Sequence, residues 1–147
     1  MIRRNKKAIA TALLCANLAF IWVNSLLPAT VSAAFSRWVK ALLGFVLSGV
    51  GADFQGEGPI RKLAHFLEFC SFGLLLGWRI SMDQVKKWIL PTFVLGVSVA
   101  SVDELLQHLS PGRAPQITDV GIDTSGVILG IGLLALGKHI RSKKQNQ

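Results

Sequence analysis

The run AIATALLCANLAFIWVNSLL, residues 8–27, decides the fold: it has 20 residues and no charge. A helix crossing the hydrocarbon core of a bilayer needs about 20 apolar residues. Arg3, Arg4, Lys6 and Lys7 stand just ahead of it. A secretory signal has the same layout, and Val31-Ser32-Ala33 resembles a cleavage site. Signal cores are typically about 7–15 residues long, so the length points to a retained span. Residue 34 falls outside in either case.

Outward from this run, Leu63–Ile80, Trp88–Leu109 and Ile117–Gly137 supply three more windows of spanning length. The expected fold is an all-α membrane protein, a single domain over residues 1–147 built as a four-helix transmembrane bundle. Its spans are expected at about 8–28, 63–80, 88–109 and 117–137. Asn17, Asn24 and Ser25 in the first span suit helix–helix contact. Between spans one and two, Phe35, Trp38, Val39, Leu42, Phe45 and Val46 share one helical face, opposite Arg37, Lys40 and Gly44. That pattern predicts a short amphipathic helix over about 35–48, lying at the outer interface. A re-entrant hairpin over Ala41–Val50 is the competing arrangement. Gly49, Gly51, Gly56, Gly58 and Pro59 form a loose lead into the second span.

Composition agrees. Of 147 residues, 51% are hydrophobic and only 16% charged, and 16 basic against 8 acidic residues give a net charge of +8. No basic stripe interleaves with aromatics, so nucleic acid is excluded as a partner. The cations flank apolar runs instead. With the N-terminus inside, eleven basic residues lie on the inner side (Arg3, Arg4, Lys6, Lys7, Arg79, Lys86, Lys87, Lys138, Arg141, Lys143, Lys144) and five outside (Arg37, Lys40, Arg61, Lys62, Arg113). That bias predicts both termini in the cytoplasm, and the expected location is the plasma membrane. Cys15 and Cys70 sit inside apolar runs and suggest neither a disulfide framework nor a metal motif. There is no internal repeat.

The acidic residues carry the functional signal. Seven of the eight, all but Asp83, fall outside or at the outer ends of spans. Charge-free lengths in the last three spans are only ten residues (69–78), fifteen (88–102) and fourteen (124–137). Their polar ends must therefore enter the bilayer's outer half. Short Asp, Glu and His side chains cannot snorkel as Lys and Arg do, and ionisable groups at such depth generally face a bundle interior. Arg61, His65 and Glu68 follow one helical line, Glu104 faces with Gln107 and His108, and Asp119 lies one turn from Asp123. Gly126 and Gly130 continue the Asp119–Asp123 stripe as a small-xxx-small face. Together these predict one shared polar pocket on the outer side.

At Lys62-x-x-His65-Phe66-x-Glu68-Phe69 and Asp103-Glu104-x-x-Gln107, followed by Pro111-Gly112-Arg113 and Asp119-Val120-x-x-Asp123-Thr124-x-Gly126, the chain resembles the VanZ-like family of bacterial membrane proteins. The likeness runs from about residue 60 to 136, with the first span in place upstream. The family is named after an accessory protein of glycopeptide resistance. The resemblance implies a small multi-span envelope protein with an effect on teicoplanin sensitivity, and it brings no settled chemistry. It carries Lys62, His65, Glu68, Glu104, Gln107, Arg113, Asp119 and Asp123; Arg61 and His108 lie outside its pattern.

A histidine among carboxylates can act as general acid and base when their environments separate their pKa values. His65, Glu68, Glu104, Asp119 and Asp123 are thus the catalytic candidates, with roles unassigned. Lys62, Gln107 and Arg113 are the binding candidates, and the Arg113 fork suits phosphate or carboxylate. Besides the lipid bilayer, the expected partner is an anionic lipid or lipid-linked cell-wall precursor. Catalysis, binding without bond-breaking, and a polar core that only fixes helix packing all remain open. His65, Glu68, Glu104, Asp119 and Asp123 could surround an oxygen-seeking cation, yet no HExxH-type spacing is present and no metal is assigned. Ser101 and Ser125 lack the context of a nucleophile. The sequence specifies neither a cofactor nor an oligomeric state.

Overall fold

The computed structural model describes residues 2–47, 58–83, 87–112 and 116–145, with positions 2, 3, 35, 40 and 42–47 described for their backbone. Among these residues the chain is all helix: α1 (Ile2–Leu26), α2 (Ala29–Leu47), α3 (Gly58–Ser81), α4 (Ile89–His108) and α5 (Ile117–Gln145). Four of them, α1 (from Arg4), α3, α4 and α5, are long and apolar enough to cross a membrane. This is the all-α, four-span architecture that the apolar runs predict, with a shorter helix between the first two spans.

That shorter helix, α2, starts at Ala29 rather than near residue 35. Pro28 explains the early start: proline suits the head of a helix, and its carbonyl accepts from the N–H of Val31 (3.0 Å) and Ser32 (3.1 Å). Among the α2 side chains described, Ser32 and Ser36 are buried, while Trp38 is 63% exposed. The side chains of Phe35, Leu42, Phe45 and Val46, and Gly49, Gly51 and Gly56 beyond them, lie outside the described residues.

α3 is the centre of the bundle and packs on α1, α2, α4 and α5. Its closest neighbour is α5, because glycines remove the side chains between the two backbones. Gly126 rests on the backbone of Phe66 and Gly130 on that of Cys70. From the other side, a Cβ on Gly73 would lie 2.6 Å from the Val127 carbonyl oxygen. Such close approach is how spanning helices gain packing energy where water supplies no hydrophobic drive. Ile21, Phe69, Phe72, Leu76, Ala100, Val127 and Ile131 fill the core. Phe20, Leu67, Leu90, Leu105 and Leu136 point outward, as a lipid-facing surface requires.

The two ends of the bundle differ. At the end holding the start of α1, Asp83 accepts from Lys7 Nζ and Arg79 Nη1, each at 2.5 Å, and Arg79 Nε donates to Thr11 Oγ1 at 2.9 Å. The hydrogen bonds from Lys7 and then Arg79 hold the Asp83 carboxyl below its ordinary pKa. At the other end, the α1–α2 corner is tied to the turn after α4. The Ala29 N–H donates to the Pro111 carbonyl (3.2 Å) and Ser110 Oγ to the Leu27 carbonyl (2.7 Å). Gly112 turns the chain there with φ of 77°, a conformation glycine adopts without strain. This second end holds the polar groups.

Candidate functional site

Three spanning helices deliver ionisable side chains to that end: α3 from its first three turns, α5 from its first two and α4 from its last two. His65 of α3 lies at the centre. Its Nδ1 is 3.8 Å from Asp103 Oδ2 on α4 and 3.8 Å from Asp123 Oδ1 on α5. Both aspartates are fully buried and His65 is 7% exposed. One turn earlier on α5, Asp119 faces Lys62 Nζ (3.7 Å) and Arg61 Nη2 (3.8 Å), both from the first turn of α3.

The two buried aspartates are held differently. Asp103 is oriented from two sides: Oδ1 accepts from Ser25 Oγ at 2.5 Å, and Oδ2 accepts from Gln107 Nε2 at 2.9 Å. Neither oxygen of Asp123 has a hydrogen-bond partner among the described residues. Glu104, also buried, accepts the Gln116 N–H at 2.5 Å. Glu68 turns to α1, where Asn24 Nδ2 donates to its Oε1 at 2.9 Å. Among the described residues, five carboxylates (Glu68, Asp103, Glu104, Asp119, Asp123) thus stand against the two cations Arg61 and Lys62.

Of the residues the sequence singles out, the structure joins His65 with Asp123 and Lys62 with Asp119. Glu104 and Glu68 lie in the same layer with partners of their own. Gln107 and Glu104 are both buried and Gln107 donates to Asp103 one turn earlier, whereas His108, expected on the same face, is exposed. Arg113 lies outside the described residues.

Asp103 and Arg61 are site residues that the sequence reading named, in the motif and on the His65–Glu68 helical line, but did not take as candidates. The four-residue spacing from Asp103 to Gln107 was the available signal for the first. Arg61 precedes Lys62 directly, and in the structure it also borders a cavity of about 130 Å³ between α2 and α3, with Ala29, Ser32, Ala33, Ser36 and Gly58. A polar-lined opening therefore adjoins the basic rim.

Chemically, the layer has a basic rim, a small adjoining cavity and a buried floor of one imidazole and two carboxylates. His65, Asp103 and Asp123 each offer one ligand atom, all within 4.8 Å of one another. The same trio could pass a proton, since an imidazole flanked by carboxylates supplies both acid and base.

No solved structure matches this chain. The family model described as VanZ/LLP1 matches residues 7–138, from the first span through most of α5. With four apolar helices and a buried polar layer within that match, the chain belongs to the VanZ/LLP1 family of multi-pass membrane proteins.

Proposed function

We propose that this protein resides in the plasma membrane with both termini cytoplasmic. In this reading it binds an anionic envelope lipid, or a lipid-linked cell-wall precursor, at the extracytoplasmic end of its bundle, and thereby alters sensitivity to glycopeptides of the teicoplanin type. The observation that carries the reading is the meeting of His65, Asp103 and Asp123, all buried, beneath the Arg61–Lys62 rim. Ionisable groups are costly at membrane depth and mark functional sites by default. The rim gives a phosphate or carboxylate headgroup its counter-charge, and Arg113, which the sequence reading names as a binding candidate, is proposed to add to it. The eleven-to-five basic bias supports an extracytoplasmic position for this end. Binding is the step that recognition and chemical modification share, and His65 with Asp123 would serve the second.

A second reading has its own observation. Asp103 is hydrogen-bonded from α1 and from its own helix, as expected of a residue that fixes helix packing.

The test pairs topology with phenotype. In a background with Cys15 and Cys70 replaced, a cysteine at position 112 should label from outside and one at position 84 should not; the reverse pattern contradicts the placement. In cells lacking the chromosomal copy, the unaltered chain should shift teicoplanin survival. Arg61→Gln combined with Lys62→Gln should abolish that shift at equal membrane levels of folded protein. An unchanged shift in the double variant would contradict the lipid-binding reading.

A further inference from the structure

We infer that His65, Asp103 and Asp123 form a three-ligand site for a divalent transition cation of the Zn²⁺ or Mn²⁺ class, leaving coordination positions open for water or an anion. The inference goes beyond the lipid reading and stands without it, because the cation can be tested with no lipid ligand added.

The geometry argues first. His65 Nδ1 stands 3.8 Å from an oxygen of each aspartate, too far for hydrogen bonds. Two ligands held at about 2.1 Å by one ion, at angles of about 90–120°, lie about 3.0–3.6 Å apart. A closure of about 0.2–0.8 Å brings each imidazole–carboxylate pair to that spacing, and the three ligand atoms already lie within 4.8 Å of one another, so drawing Asp103 and Asp123 in around an ion completes the polyhedron. Asp123 is the second, independent observation. Its side chain is wholly out of solvent, is aimed at the centre of the trio, and has neither oxygen hydrogen-bonded among the described residues. A carboxylate withdrawn from water requires a compensating partner, and a cation at the centre supplies it.

The surroundings agree. Ser25 and Gln107 bond Asp103 as outer-shell groups bond a metal-ligating carboxylate, fixing which lone pairs face inward. Among the described residues, the nearby cations Arg61 and Lys62 face Asp119 rather than the buried pair. An imidazole selects against Mg²⁺ and Ca²⁺, while two carboxylates suit Mn²⁺ and Zn²⁺. Three protein ligands with an open position is the pattern of zinc sites that bind a further ligand. A cation there would also reconcile an acidic floor with an anionic headgroup.

The test uses the full chain, stripped with chelator in detergent, then dialysed against Zn²⁺ or Mn²⁺ alone and read by elemental analysis. One ion per chain is expected. His65→Gln and Asp123→Asn should each weaken binding at least 10-fold, while Asp119→Asn should leave it within 2-fold. A measurement on the unaltered chain guards against variants that fail to fold: bound Mn²⁺ should show nitrogen-coupled spin-echo modulation from the imidazole, abolished by Zn²⁺. Failure to retain either ion, binding that ignores both substitutions in folded protein, tighter binding of Mg²⁺ or Ca²⁺, or Mn²⁺ without nitrogen coupling would each overturn the site.

Discussion

Asp123 Oδ1 on α5 and His65 Nδ1 on α3 face each other at 3.8 Å, and the Asp123 side chain is fully buried. The pair is close enough to be electrostatically coupled and too far apart to share a hydrogen bond. Burial of Asp123 with neither oxygen hydrogen-bonded among the described residues is an expense the fold bears for something other than stability. Asp123→Asn, which keeps the shape and removes the charge, is therefore expected to leave unfolding in metal-free detergent unchanged or to raise stability by about 1–2 kcal/mol. Thermal denaturation of the two proteins side by side measures this. A loss of about 3–5 kcal/mol, the cost of breaking a well-made buried pair, would show that Asp123 holds the bundle together.

Asp103 should behave in the opposite way. It receives hydrogen bonds from Ser25 on α1 and Gln107 on α4, and bonds to a charged group are worth about 1.5–3 kcal/mol each. Ser25→Ala is expected to cost one such bond, and Asp103→Ala more than Ser25→Ala. Denaturation of the single and double variants checks it: strict additivity of Ser25→Ala and Asp103→Ala would contradict a direct contact.

The glycines of the bundle divide into two groups. A Cβ on Gly73 would stand 2.6 Å from the Val127 backbone, and one on Gly130 would collide with the Cys70 backbone, whereas Gly121 and Gly132 have nothing within 4 Å. Gly73→Ala and Gly130→Ala should each destabilise by about 1–3 kcal/mol through overpacking. Gly121→Ala and Gly132→Ala should gain up to about 1 kcal/mol from helix propensity. Melting temperatures of the four variants test the close α3–α5 approach; equal effects in all four would refute it.

How much of this was legible in the sequence follows from the type of signal. The spans were readable because a bilayer demands about 20 apolar residues in a row, and residues 8–27 meet that demand without a charge. His65, Asp119 and Asp123 were readable because short charged side chains inside such runs have few places to go. Adjacent residues on one helix were harder to separate. Asp103 and Glu104 differ by about 100° of rotation, and periodicity alone did not tell which of them meets Gln107. Arg61 was readable on the helical line of His65 and Glu68, but its partner Asp119 is on α5, far along the chain, and the pairing was not. The start of α2 depended on Pro28 rather than on the apolar face that led to the helix being expected.

At the opposite end, Asp83 is clamped by Lys7 and Arg79, whose hydrogen bonds lower its pKa. A depressed folded value means that the clamp contributes its full stabilisation above the unfolded carboxylate value of about 3.9. The contribution then disappears as pH falls through the lower folded value. The Asp83 resonance in a detergent NMR titration should move below that reference, and Lys7→Ala should shift it back upward. No change in its midpoint with Lys7→Ala would contradict the clamp.

The central claim is that the polar end of the bundle recognises an anionic lipid headgroup, and direct binding tests it. The chain in nanodiscs would be titrated with a polyprenyl phosphate and, in parallel, with the uncharged polyprenol. The expected result is saturable binding of the phosphate, at least 10-fold tighter than the alcohol. Arg61→Gln with Lys62→Gln, or Arg113→Lys, which keeps charge but loses the bidentate fork, should weaken it without changing thermal stability. Equal binding of phosphate and alcohol, or loss of binding only in step with loss of fold, would contradict the account.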